Sequence, residues 1–294
     1  MGVMWTTGDP TLPISLEKLY IGLPYSIALL FILTTHEFGH YIASRVHKVD
    51  ATLPFYIPVP PIPGFFHFGT MGAVIKTKSP VYSNKAMFDI GVAGPIAGFV
   101  ASLIVLIYGF LTLPGTEYIL SIHPDYFSPE YGQGQMPLFF GNNLLFLALK
   151  GIFTNSSQFV PPMSEIYHYP YLMAGWFGLL VTALNMLPVG QLDGGHVVVS
   201  MFGPVIHERV AKGTLVFITL LGLVGVLDFQ LDFVLGFGWI GWLLWTVLLV
   251  FVIKVKHPPI MYFAKLDKKR MVLGYFSLAI LLLSFMHTPF YGGI

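Results

Sequence analysis

The chain has 294 residues, 55% of them hydrophobic and only 10% charged, with a mean hydropathy of +0.74. A soluble domain carries about 25% charged residues, so the composition excludes one and predicts an α-helical polytopic membrane protein with about six transmembrane helices. The absence of cysteine excludes disulfides and thiolate metal ligands, and a net charge of +1 gives no ground for a nucleic-acid partner.

Residues 1–18 show no basic stretch leading into a short apolar run, so no removable signal peptide is expected and the first span should stay inserted. Apolar runs of nearly 20 residues predict spans at 19–43, 88–113, 171–187, 213–229, 233–253 and 272–285, the third and last short for a full crossing. The run 138–153 reads as an interfacial or partly inserted helix. Charge tests this count. Of the fifteen basic residues, five lie between spans one and two (Arg45 to Lys85), two between three and four (Arg209, Lys212) and six after span five (Lys254 to Arg270). All of these fall on one side, which the positive-inside rule makes cytoplasmic. The expected setting is the plasma membrane of a prokaryote, with both termini outside.

Span one ends in Thr34-Thr35-His36-Glu37-Phe38-Gly39-His40. Residues four apart on a helix return to nearly the same face. His36 and His40 can therefore offer two imidazoles to one metal, with Glu37 beside it as a general base. Three ionisable groups within a membrane segment mark a functional site by default.

Residues 49–77 are neither a span nor an ordinary loop. The prolines of Leu53-Pro54-Phe55-Tyr56-Ile57-Pro58-Val59-Pro60-Pro61 exclude a helix. The stretch Phe68-Gly69-Thr70-Met71-Gly72-Ala73-Val74-Ile75 reads as a glycine-weakened strand that another backbone can approach. An apolar extended segment here must line a cavity or be buried in protein. The plainer reading is a hydrophobic cytoplasmic-side hairpin with no direct role.

Span two carries Gly91, Gly94, Pro95, Ala97 and Gly98, read mainly as a close-packing surface, and Asp89 is read as a helix-start carboxylate. The outer segment 114–170 shows no catalytic pattern, and His123 and His168 read as ordinary surface or interfacial histidines. Likewise His47, His67, His207 and His287 show no partner spacing, and Trp239, Trp242 and Trp245 read as lipid-facing or packing residues.

The second informative stretch runs from Asn185 through Pro188, Gly190 and Asp193 to Gly194-Gly195-His196. It predicts a broken helix at membrane depth, tolerated where it lines a cavity. A catalytic zinc needs three protein ligands and an open position; both Asp193 and His196 are candidates for the third.

His36-Glu37-x-x-His40 together with Asn185-x-x-Pro188-x-x-x-Leu192-Asp193-Gly194-Gly195 resembles the site-2 protease family of intramembrane zinc metalloproteases. The resemblance covers about residues 19–203, the family's core of three spans. It is nearest the branch without a PDZ domain. Gly39-His40-Tyr41, Phe88-Asp89-Ile90 to Ala93-Gly94-Pro95, and Leu187-Pro188-Val189-Gly190 are similar to plastid and cyanobacterial-type members. The resemblance implies zinc bound by His36, His40 and Asp193, water activated by Glu37, and Asn185 near the scissile carbonyl. It also implies a membrane-associated β-hairpin after the first span, whose Gly69, Thr70, Gly72 and Val74 would bind unwound substrate.

The expected organisation is a catalytic core at 1–203 and a C-terminal transmembrane bundle at 204–294. The expected activity is zinc-dependent cleavage of transmembrane protein substrates within the bilayer. A metal or proton-coupled transporter would also bury His and Asp in membrane helices, but no internal repeat is evident. A non-catalytic scaffold has no use for Glu37. His257-Pro258-Pro259, after span five, has no assignable role.

Overall fold

The computed structural model describes residues 20–58, 70–132, 138–230 and 236–292. Three helices, each beginning earlier or ending later than apolarity alone predicts, form its frame. The first, α1 (Leu23–Val46), starts with Pro24 in its first turn, where a missing N–H is harmless. Its neighbour α2 (Asn84–Leu111) begins four residues before the predicted span, because the Ser83 side chain caps it by accepting from the Ala86 N–H. A short α3 (Thr116–Ile122) follows, then strand β3 (Leu138–Phe140) and α4 (Leu144–Phe153), which the Asn143 side chain caps. The apolar run 138–153 is thus a strand and a helix joined by the irregular residues 141–143.

After a single 3-10 turn at Ile166–His168 comes α5 (Pro170–Asn185), of 16 residues. It is the central helix. Met173, Ala174, Trp176 and Leu179 on it are fully buried against Ile32 of α1 and Phe99 and Leu106 of α2, and Trp176 donates its indole N–H to the Gly141 carbonyl at 2.7 Å. Truncating such an aromatic costs about 3–5 kcal/mol. The chain then breaks as predicted, and α6 (Asp193–Phe202), α7 (Pro204–Gln230), α8 (Gly241–Val247, running on through a π turn to Ile253) and α9 (Lys268–Ser284) complete the helices.

The outward faces are apolar. Ile27, Leu30, Phe31, Phe38 and Ile42 of α1, Val100, Ile104, Tyr108 and Leu111 of α2, and Val216, Leu220, Leu223 and Leu227 of α7 are all exposed. They recur every three or four residues, the stripe expected of a helix that turns one side to lipid. Three described helices are long and apolar enough to cross a membrane: Tyr20–Val46, Asn84–Leu111 and Pro204–Gln230. The remaining three predicted spans are shorter as helices. Residues 236–240 before α8 are not helical, since Gly236 takes a φ of +61°, which shortens the predicted span 233–253.

The segment after α1 forms a two-stranded antiparallel hairpin, β1 (Phe55–Pro58) with β2 (Thr70–Val74), pairing Phe55 with Val74 and Tyr56 with Ala73. The Tyr56 hydroxyl bonds Thr34 Oγ1, fastening β1 to α1 two residues before His36. Gly69 and His67 lie outside the described residues. A second small sheet pairs β3 with β4 (Phe290–Gly292), tying the end of the chain to the outer segment.

Candidate metal centre and active site

His36, Glu37 and His40 fall on the inward face of α1 and are 3%, 9% and 7% exposed. Burial of that face follows from the stripe Leu29, Ile32, Leu33, His36, which packs toward α2 and α5. His40 meets the Ile90 carbonyl at 2.7 Å through Nδ1. A carbonyl only accepts, so Nδ1 carries the proton and Nε2 presents its lone pair inward.

The break after α5 supplies the other side. Met186 N–H bonds back to Thr182, and the turn through Gly190 (φ +56°) reverses the chain before Leu192 leads into α6. Only a residue without Cβ fits at 190, since a Cβ would stand 1.9 Å from the Lys254 carbonyl oxygen. Asp193 therefore opens α6 facing α1. His36 Nε2 and His40 Nε2 are 3.1 Å apart, and Asp193 Oδ2 lies 3.4 Å from the first and 3.3 Å from the second. Donors about 2.0–2.1 Å from one tetrahedral zinc stand about 3.3 Å from each other. Two imidazoles and a carboxylate at this separation fit zinc, with one coordination position left open.

Asn185, the last residue of α5, places its amide Nδ2 3.4 Å from His36 Nε2. The five groups line a cavity of about 320 Å³, roofed by Ala73, Val74 and Ile75 at the end of β2. Val74 thus borders the site, Gly72 sits on the same strand with φ +110°, and Thr70 begins it. His196 also lines the cavity, but its Nδ1 faces His257 Nε2 at 2.7 Å. The three donors that converge include Asp193 and not His196.

Asp89 has partners far away in sequence. Asp89 is no simple helix-start carboxylate: it receives Arg270 Nε at 2.9 Å and Nη2 at 2.6 Å, and meets His47 Nε2 at 2.8 Å. The small residues of α2 do pack closely, and what they pack against is the histidines of α1. Gly94 faces His40 and Gly98 faces His36.

The peptidase family M50 profile matches residues 24–227. Among curated proteins, the probable chloroplastic zinc metalloprotease EGY1 of rice (subspecies japonica) is 34% identical over 198 residues, covering 67% of this chain and 31% of that protein. Its Arabidopsis thaliana counterpart is 34% identical over 195 residues, covering 65% and 32%. Rice (subspecies indica) EGY2, also a probable chloroplastic zinc metalloprotease, is 27% identical over 199 residues, covering 67% and 32%. The chain thus spans about a third of the length of these relatives. No solved structure matches it. These findings overturn the expected prokaryotic plasma membrane, since the relatives are chloroplastic proteins of plants. The profile match and the paired His-Glu-x-x-His and Asp-Gly-Gly stretches lead to one assignment: this chain belongs to peptidase family M50, the site-2 protease family of zinc metalloproteases.

Proposed function

We propose that the chain cleaves transmembrane segments of membrane-protein substrates, with His36, His40 and Asp193 as zinc ligands. The observation that carries this reading is the convergence of those three donors beside Glu37 and Asn185 in one cavity. Zinc held by these three residues would supply a Lewis acid that acidifies a water and polarises a carbonyl. Glu37, one residue from a ligand and turned into the cavity, accepts the proton of the attacking water and delivers it to the leaving amine. The Asn185 amide donates to the oxygen that gains charge as the carbonyl is attacked.

A transmembrane helix has its backbone groups already bonded, so substrate must unwind before attack. Among the described residues the strand that pairs with β2 is β1, along one edge. An unwound segment adding to the opposite edge of β2 would be led toward Glu37 by Ala73 to Ile75. Thr70, Gly72 and Val74, with Gly69 outside the described residues, are the positions proposed to hold it.

Six crossings remain the proposed topology. The 16 residues of α5 and 17 of α9 extend about 24–26 Å, close to the hydrocarbon thickness of about 30 Å. Residues 1–203 would form the catalytic core and 204–294 the adjoining bundle.

The test uses the full chain purified in detergent, comparing wild type, Glu37→Gln and Asn185→Ala for zinc content and cleavage of a single-span substrate. Zinc should be retained in all three. Cleavage should fall by about 10²–10⁴ in Glu37→Gln and about 10²–10³ in Asn185→Ala. Wild-type cleavage rates in Glu37→Gln would overturn the reading.

A further inference from the structure

A second cluster of metal-ligating side chains lies at the other end of α5. His168 closes the 3-10 turn that leads into α5, Glu165 precedes that turn, and His123 follows α3. His123 Nε2 and His168 Nε2 are 2.9 Å apart, and Glu165 Oε2 lies 3.5 Å from His168 Nε2 and 3.9 Å from His123 Nε2. This repeats the arrangement of His36, His40 and Asp193: two Nε2 atoms and one carboxylate oxygen at close to tetrahedral-edge separations. We propose that His123, Glu165 and His168 bind a second divalent transition-metal ion of the zinc class, separate from the catalytic one.

Three observations support this. First, Glu165 and His168 are 5% and 0% exposed, yet Glu165 Oε2 receives no hydrogen bond. A buried carboxylate oxygen without a donor is unfavourable, and a bound cation removes that cost. Second, the residues that carry two of the donors are already held. Glu165 Oε1 accepts from the Tyr131 hydroxyl at 3.2 Å, and the His168 carbonyl accepts from the Tyr118 hydroxyl at 2.7 Å. Such supports orient ligands before the metal arrives. Third, the donor types select the ion, since two imidazoles with one carboxylate suit zinc and disfavour calcium or magnesium.

The His123 side chain, 27% exposed, leaves the site an approach from outside. A metal here joins the end of α3 to the start of α5. It sits one helix length, about 24 Å, from Asn185 and the catalytic centre. Its role is therefore to staple the outer segment onto the central helix.

The experiment strips the full chain in detergent of metal, reloads it with zinc, dialyses it, and measures zinc per chain and Tm. Wild type should hold two zinc ions. His123→Gln, at the exposed edge, and the near-isosteric Glu165→Gln should each hold one, as should Asp193→Ala, which empties the other centre. The Asp193→Ala/His123→Gln pair should hold none. Zinc should raise Tm in Asp193→Ala, and that rise should vanish in the double variant. Zinc uptake by His123→Gln and Glu165→Gln equal to wild type would overturn the proposal, as would a single wild-type zinc abolished by Asp193→Ala. Neither readout involves cleavage, so failure of the proteolytic reading and failure of this one are separable.

Discussion

His196 and His257, sixty-one residues apart in sequence, meet with Nδ1 of the first 2.7 Å from Nε2 of the second. The contact gives His257-Pro258-Pro259 a structural place. The segment after α8 reaches back to α6, and the Gly190 N–H bonds the Val255 carbonyl beside it. Burial pushes the His257 imidazole below its ordinary range, partly offset by its contact with the Pro258 carbonyl. A histidine held neutral in the fold contributes stability that is present above its unfolded pKa of about 6.5 and is lost as pH falls toward the lower folded value. The Tm of the wild type should therefore fall between pH 7 and 5, and His257→Gln should flatten that slope. Equal slopes in the two proteins would remove His257 from the account.

Gly94 determines how near α2 can come to His40, one of the proposed zinc ligands. A Cβ there would stand 2.1 Å from His40 Nε2, the nitrogen that faces His36 and Asp193. Either the helix or the imidazole must move, and a shift of a few tenths of an ångström spoils a metal site. Gly94→Ala should lose zinc from the catalytic centre and lower cleavage by about 10²-fold or more. Gly151, whose added Cβ would meet nothing within 4 Å, supplies the control: Gly151→Ala should leave zinc and cleavage unchanged.

What could be read from sequence divides along the range of the interaction. His36 and His40 were legible because helical periodicity alone puts them on one face, and the Asn185–His196 break because proline and glycine punctuate the backbone locally. Asp193 emerged over His196 only from the family pattern. In the structure Asp193 opens α6 toward α1, whereas His196 meets His257. The Asp89–Arg270 pair spans 181 residues and the His123–His168 contact 45, so no window of sequence holds both partners. Span lengths were misjudged where hydropathy continued past the end of helical geometry, as before α8, because apolarity is blind to a glycine with positive φ.

Gly72 in β2 carries a test of substrate capture. Its φ of +110° is one that L side chains rarely adopt, yet an added Cβ would meet nothing within 4 Å. Gly72→Ala therefore acts through the backbone, at about 1–3 kcal/mol of local strain, and not through a clash. Relaxing that strain reshapes the strand that roofs the cavity, while the metal donors on α1 and α6 stay in place. Cleavage should drop with zinc content unchanged. Loss of zinc alongside cleavage would mean the hairpin supports the metal centre rather than the substrate.

Arg270, near the start of α9, grips Asp89 with two nitrogens, and His47 at the end of α1 meets the same carboxylate. Three helices that the chain sequence keeps far apart are thus joined at the end that carries most of the basic residues. The Arg270 and Asp89 side chains are 30% and 23% exposed, so solvent screens the pair in part. Hydrogen bonds to charged groups at such positions contribute about 1.5–3 kcal/mol. Asp89→Asn should lower Tm clearly, and Arg270→Lys should do so as well, because an ammonium cannot reproduce the two-pronged grip. In a double-mutant cycle with Asp89→Ala and Arg270→Ala, the combined loss should fall short of the sum of the single losses by about 0.5–3 kcal/mol. Strict additivity would mean that α9 is held to α2 by packing alone, through contacts such as Gly274 against Phe88.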